Sequence, residues 1–381
     1  MAAAAFGALA LLLFSWMYHG ACVAACIAWR RRERGRARKP GESDPLVSVL
    51  VPMRGADSGL EGLLTSLLRQ DYREYEVIVG ALDPDDPALR VAQGLKRSEL
   101  GRRLKIASGG EAFGPNRKVC NLARMAEEAS DALLVLCDSD MQVTSGYLRE
   151  VILPFQDPGI GLVTCVYRGH AARNLPARLE ALAIGTDFVP GAVLAAWPSG
   201  PRFAMGATIA LRRELLEQIG GFAAIAEYLA DDYMLGCLAG RCGWRTALSG
   251  YVVDALLGRE EFGAMWARRV RWARTMRAMQ PLGWIGAVVT HALPLSVAAG
   301  ALVGGGYGLA LVASTLLMRG LFAACYAAYG THDREVLRSL WLLPAADLLN
   351  FVVWCASFTG RTVTWRGERF RIERGGKLSA L

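Results

Sequence analysis

The sequence predicts an α/β domain with a mostly parallel sheet, placed between apolar segments that enter a lipid bilayer. Two patterns and one compositional fact lead there. Between residues 46 and 280 short apolar runs alternate with segments of helical spacing, the rhythm of strands joined by crossover helices. Outside that stretch the chain carries apolar runs of about twenty residues or more, and 53% of all 381 residues are hydrophobic. That fraction is high for a soluble enzyme.

The first apolar run, Ala3 to Trp29, is broken only by Ser15, Tyr18 and His19 and covers a hydrocarbon core of about 30 Å. It exceeds the apolar core of a signal peptide and has no basic residues before it, so residues 1–29 read as a transmembrane helix. RRRERGRARK follows, within a basic linker at 30–45. Basic residues beside a span stay on the cytoplasmic side, which makes the segment after Lys39 cytoplasmic. In the middle segment, Val47 to Val51 reads as a strand closed by Pro52, Leu60 to Leu68 as a helix and Tyr75 to Leu82 as a second strand. Arg103 to Ala107, Asn116 to Ala129, Ala132 to Cys137 and Tyr147 to Phe155 continue the alternation. Further apolar runs at about Leu282 to Val303, Gly305 to Tyr329 and Leu340 to Phe358 make residues 281–360 transmembrane or re-entrant, and 361–381 form a basic tail.

The net charge of +8 gathers at these membrane flanks. The basic clusters lack the interleaved aromatic residues of a stacking platform, which argues against nucleic acid and for a membrane with anionic lipid. Nine cysteines without a CxxC pair indicate neither a zinc site nor a disulfide framework.

Ligands of such sheets bind beyond the carboxyl ends of the strands. There the chain reads LCDSDM, and on an extended backbone Asp138 and Asp140 project the same way. Two carboxylates on one side suit a hard divalent cation, Mg2+ or Mn2+, whose shell a ligand's phosphates complete. Taken alone, a polar strand end reads equally well. No GxGxxG or GxxxxGK[ST] marks a dinucleotide site or P-loop. Instead LDPDDPA puts Asp83, Asp85 and Asp86 at the same edge, and GPNRKVCNL opens a helix with Asn116, Arg117 and Lys118, a natural anion site. LADDYMLG then places Asp231 and Asp232 in a first helical turn, where acids complement the helix dipole or serve as a fixed general base. Finally RRVRW puts Arg268 and Arg271 on one helical face with Trp272 alongside, in an amphipathic segment that also suits a membrane interface.

LDPDDPA, LCDSDM, LADDYMLG and RRVRW, in that order, resemble the D, D(x)D, D, (Q/R)xxRW signature of membrane glycosyltransferases of the ceramide glucosyltransferase type, of which the bacterial hopanoid-modifying enzymes are a branch. The resemblance covers nearly the whole chain and includes MGATIALRRELLEQIGGF and TVTWRGERFRI. It implies a GT-A fold, with N- and C-terminal transmembrane helices, that transfers glucose or N-acetylglucosamine from a UDP-sugar to a lipid hydroxyl with inversion. On this resemblance Asp86 lies near the uridine, Asp138 and Asp140 hold the divalent cation, and Asp232 is the general base. Lys118 and Asp231 join the donor site, and Arg268, Arg271 and Trp272 line the diphosphate and acceptor entrance.

Where the animal ceramide enzymes read GTSHP this chain reads GTDFV at 185–189, and they lack an acid at the position of Asp140. A hopanoid polyol is therefore preferred over ceramide as the acceptor, and the alanine- and arginine-rich style suits a bacterial inner membrane. A processive polysaccharide synthase shares the acids but needs more spans, and a non-catalytic nucleotide-sugar-binding membrane protein would not need the full acid set. Arg319 and Asp347, the clearest ionisable residues inside the apolar runs, read as locally paired or at edge positions. The basic tail conflicts with three full spans before it, so one run, about Leu282 to Val303 or the Leu340 run, is expected to re-enter or lie in the interface. Thr362 to Ile372 alternates like a strand.

Overall fold

The computed structural model describes residues 2–35, 45–56, 59–130 and 132–381. They form two compact units, one of Arg32–Tyr167 and Ala196–Leu256, the other of Met1–Arg31, Arg168–Ala195 and Leu257–Leu381.

The first unit is the α/β domain. Its sheet contains β1 (Val47–Pro52), β2 (Tyr75–Ala81), β3 (Leu104–Ser108), β4 (Leu133–Cys137), β5 (Met141–Gln142), β6 (Ile160–His170, which runs on into the other unit), β7 (Thr208–Arg212) and β8 (Arg245–Leu256). The strand order is β3-β2-β1-β4-β7-β6-β8-β5. Every residue of β1 and β4 is buried, as expected of apolar strands covered on both faces. On one face Val47, Val49 and Val51 pack with Leu60, Leu64 and Leu67 of α2 (Leu60–Leu68), Ala88 and Ala92 of α3 (Pro87–Lys96), and Tyr147 and Val151 of α5 (Tyr147–Ile152). Helix α4 (Arg117–Glu128) packs against β1 and β2, where Asn121 Nδ2 donates to the Gly80 carbonyl at 2.7 Å. Helices α8 (Arg213–Gln218) and α9 (Asp231–Arg241) follow β7.

The mostly parallel sheet is corrected in part. Strands β3, β2, β1 and β4 pair in parallel, but β7 pairs antiparallel with β4, β6 with β7 and β5 with β8. Apolar strands look alike in sequence whichever way they run, so burial patterning carries no sign of direction.

The second unit is helical. It holds most of α1 (Ala2–Arg34), then α6 (Leu175–Ala183), α7 (Val189–Ala196), α10 (Phe262–Met279), α11 (Pro281–Gly286), α12 (Ala292–Val303), α13 (Gly305–Cys325), α14 (Arg334–Ser339) and α15 (Leu343–Ser357). Four stretches are long and apolar enough to cross a membrane: Ala2–Arg34, Leu175–Ala196, Gly305–Thr331 and Arg334–Ser357. A fifth, Pro281–Thr290 with Ala292–Val303, is bent by 66° at His291. Leu175–Ala196 has no counterpart among the spans read from the sequence, where 168–195 and 257–280 stay within the catalytic segment. Its α6 and α7 join through a π-helical turn at Ile184–Phe188, and 67% of its apolar window is buried, so its surroundings rather than its hydropathy define it.

Of the two readings of Arg319 and Asp347, local pairing is the one present: they pair with each other, with Nη2 2.6 Å and Nε 3.0 Å from the two carboxylate oxygens. The tail forms a three-stranded antiparallel sheet, β9 (Thr362–Trp365), β10 (Glu368–Ile372) and β11 (Leu378–Ala380), where the sequence suggests one strand; the positive φ of Arg366 and Gly367 turns the chain between β9 and β10. This sheet is tied to α10: Arg274 Nη1 donates to the Thr362 carbonyl at 2.6 Å, Arg277 to that of Gly360, and the Gly375 N–H to that of Ala278 at 3.2 Å. Tail and α10 therefore share one side of any membrane. Cysteine reporters at Ala267→Cys and Ala380→Cys, in an otherwise labelling-silent background, are expected to react alike with a membrane-impermeant maleimide, both in intact cells or both only after cells are permeabilised. Reaction of one reporter alone in intact cells would break the shared side.

Candidate active site

Strand β4 stops at Cys137, and the next residues turn rather than extend: the Met141 N–H donates to the Asp138 carbonyl at 3.2 Å, and the Leu256 N–H donates to that of Asp140 at 2.9 Å. Asp138 and Asp140 therefore do not alternate along a strand. The turn half-buries Asp138 and leaves Asp140 exposed. Asn116 starts α4 by accepting the Val119 N–H at 3.2 Å, and it fixes α9 as well, because its Nδ2 donates to the Tyr228 carbonyl at 2.8 Å and to Asp231 Oδ1 at 3.2 Å. Two residues into α4, Lys118 Nζ lies 2.6 Å from Asp138 Oδ1 and 3.9 Å from Asp231 Oδ2. Asp232, next in the first turn of α9, accepts the Gly206 N–H at 2.8 Å and the Tyr233 N–H at 2.7 Å.

One point in space summarises this geometry. A methyl group on Gly206 would meet Asp232 Oδ2 at 3.3 Å, Asp138 Oδ2 at 3.5 Å and Lys118 Nζ at 3.7 Å. Three chain segments thus converge on the backbone just before β7. Gly206 is a functional position that the motifs do not mark; its signal in MGATIALRRELLEQIGGF is a glycine two residues before a buried strand.

Three carboxylates, Asp138, Asp231 and Asp232, face one ammonium here. Burial raises the pKa of Asp232 to about 6, and Asp231 adds to the rise while Lys118 and the Tyr233 N–H oppose it. Asp231 is raised by burial against the pull of Lys118. Burial would lower Lys118, but Asp138 and then Asp231 outweigh it and hold the ammonium charged. Among the described residues no three His, Cys, Asp or Glu side chains gather as a complete metal site. The excess of hard oxygen donors beside Asp138, with Asp140 two residues on, fits a cation bound by one or two carboxylates and completed by phosphate oxygens.

Asp86 lies apart from this point. It is the N-cap of α3, accepting the Ala88 N–H at 2.9 Å, and both its oxygens accept the Gly55 N–H, at 2.9 and 3.1 Å. It is 7% exposed and organises the loop after β1. The RRVRW residues lie on α10 of the helical unit. Arg268 Nη2 is 2.8 Å from Glu260 and 3.1 Å from the buried Glu180, and its guanidinium sits 5.6 Å from the centre of the Trp272 ring. Trp272 is exposed and Arg271 partly so.

The sequence profile described as Glycosyl transferase family 21 matches residues 12–378. The chain belongs to this family. Family relatives include Ceramide glucosyltransferase 3 of Caenorhabditis elegans, 26% identical over 64% of this chain and 53% of the relative. Ceramide glucosyltransferase 1 of the same organism is 22% identical over 89% of this chain and 74% of the relative. The chain thus spans about half the length of the first of these. Among solved structures, mannosyltransferase PcManGT from Pyrobaculum calidifontis, in complex with GDP-Man and Mn2+, superposes with a TM-score of 0.50 at 20% identity, covering 90% of this chain and 98% of its own. The family 21 chain has the GT-A fold.

The convergence on Gly206 has a direct consequence. Gly206→Ala is expected to leave the fold intact, judged by circular dichroism, while displacing Asp232 or Lys118 by a few tenths of an ångström. Turnover should fall by about one to two orders of magnitude, the scale of a small misplacement of catalytic groups. Unchanged turnover would show that these groups do not act together.

Proposed function

We propose that this protein is a membrane-bound inverting glycosyltransferase that moves a hexosyl unit, glucose or N-acetylglucosamine, from a UDP-sugar to a lipid hydroxyl of ceramide or a hopanoid polyol. The observation that carries the reading is the convergence of Asp138, Asp232 and Lys118 on Gly206 at the carboxyl end of the sheet. Family membership supports glycosyl transfer, the names of the relatives support a lipid acceptor, and the apolar helices support a membrane setting. We assign the catalytic domain to the cytoplasmic side.

In this reading the acceptor oxygen attacks the anomeric carbon from the side opposite UDP, the bond from that carbon to the diphosphate oxygen breaks, and Asp232 takes the hydroxyl proton. The N–H groups of Gly206 and Tyr233 hold the Asp232 carboxylate in place without protonating it. Lys118 offers its ammonium to the negative charge that grows on the leaving diphosphate. Asp138 and Asp140 would hold a divalent cation, which when bound supplies further positive charge to that oxygen. Asp86 keeps the loop after β1 in place on the uridine side, Asp231 orients Lys118, and Arg268, Arg271 and Trp272 serve the diphosphate and the acceptor entrance.

The direct test is to incubate purified protein with a panel of UDP-sugars and lipid extracts and identify new glycolipids by mass spectrometry. Asp232→Asn should keep UDP affinity, measured by calorimetry, while turnover falls by about two to four orders of magnitude. An equal loss of UDP affinity would assign Asp232 to binding instead. Because a base must be unprotonated, and the Asp232 pKa is raised to about 6, activity should be retained above that pH and lost as pH falls through it. A flat profile down to pH 5 would remove Asp232 from that role. Asp138→Asn should weaken activity in a way that added Mn2+ or Mg2+ partly restores, since a neutral amide is a poorer ligand for a hard cation. Wild-type turnover at every metal concentration would end the metal assignment.

A further inference from the structure

Four arginines recur at three-residue spacing along α10: Arg268, Arg271, Arg274 and Arg277. Arg268 is neutralised by Glu260 and Glu180, while Arg274 and Arg277 donate to carbonyls of the tail. Arg271 is different. Among the described residues its side chain has no hydrogen-bond or ion-pair partner, although it is only partly exposed. Burial, and after it the positive charges of Arg268 and Arg366, push its guanidinium down to about 10.

Arg366 comes from the opposite end of the sequence. It sits in the turn between β9 and β10 at φ 53°, with Gly367 at φ 88°. The hydrogen bonds from Arg274 to the Thr362 carbonyl and from the Gly375 N–H to the Ala278 carbonyl lay the tail sheet along α10; Gly360 meets Arg277 and Thr362 meets Arg274, so the chain runs toward the Arg271 end of the helix and turns four residues beyond Thr362. Trp365 lies 5.8 Å from the Arg366 guanidinium, and Trp272 lies 5.6 Å from that of Arg268. A half-buried guanidinium with no acid of its own, approached by a second one carried on a docked hairpin, is a binding arrangement for an anion rather than a stable pairing.

We propose that the C-terminal hairpin is part of the binding machinery, with Arg366 joining Arg271 in a site for a phosphate oxyanion. The inference rests on the donor reading above, in which the RRVRW residues serve the diphosphate, and extends that role to a residue of the tail. The same chemistry has two sources, the diphosphate of the nucleotide and the phosphate of an anionic lipid headgroup.

The test uses the full-length protein in nanodiscs of phosphatidylcholine, with and without phosphatidylglycerol. Arg366→Gly is the main variant, because it removes the charge while suiting the left-handed backbone at this turn. Arg366→Lys keeps the charge. UDP and inorganic pyrophosphate affinities are read by calorimetry in the neutral discs, and retained phosphatidylglycerol is read by native mass spectrometry. UDP and pyrophosphate should bind about ten- to a hundredfold more weakly to Arg366→Gly, the scale of a lost charge-assisted hydrogen bond, with part of the loss recovered in Arg366→Lys. Unchanged UDP binding with a loss of retained phosphatidylglycerol would support the site with the headgroup as its source. No change in either arm overturns the proposal. Should the wild type bind no UDP, the donor reading itself fails, and the phosphatidylglycerol arm alone decides whether Arg366 belongs to an oxyanion site.

Discussion

The ammonium of Lys118 lies between Asp138 and Asp231, and the arrangement of the α/β unit around its site depends on that placement. Three carboxylates cannot be brought to one buried point without opposing charge, because each resists ionisation beside the others. Lys118 meets that requirement from α4, whose start is set by Asn116, and Asn116 reaches across to Asp231 and to the chain before α9. One capping residue thus positions both the cation and two of the acids. The backbone completes the balance: the Gly206 N–H approaches Asp232 at 2.8 Å, where a side chain at 206 would crowd the carboxylate. A site built in this way is held by helix starts and strand ends, which move little, and is well suited to orient a reacting hydroxyl.

The helical unit is organised around charges of its own. Arg319 is 2% exposed and is held by Asp347, with Asp187 3.3 Å away. From Asp187 the network passes through Asn350 to Arg269, and from there to Glu180 and Arg268. Buried ion pairs add little net stability, because desolvation offsets much of their attraction. Their larger effect is selective: any other register of α6, α10, α13 and α15 would strand a charge among apolar side chains, which costs several kcal/mol. The same chain of contacts leads from the apolar helices to the first arginine of RRVRW, so the rigidity of the bundle is passed to the motif.

Much of both units is legible in the sequence, and the failures are instructive. The strand at Val47 and the helix starts at Asn116 and Asp231 follow from local patterns, because caps and apolar runs each have a short-range physical cause. The turn at Asp138 to Met141 did not follow. An apolar strand gives no notice of where its last residue falls, and a one-residue change there reverses which side each acid faces. Leu175–Ala196 escaped notice because GTD interrupts its apolar run, and only its neighbours, Arg319 for Asp187 and Val336 for Gly185, make the interruption tolerable.

The sequence by itself determined which residues are available for chemistry, that the central segment alternates strand and helix, and that several segments are apolar enough for lipid. Each of these is encoded within a few turns or strands, where periodicity and residue type act directly. The tertiary structure decided the rest: that Asp138, Lys118 and Asp232 meet at Gly206, that Asp86 turns its carboxylate to backbone N–H groups, and that the last twenty residues return to α10. Contacts between residues a hundred or more positions apart depend on how whole elements pack, and packing is fixed by the joint burial of many side chains, which no local pattern records.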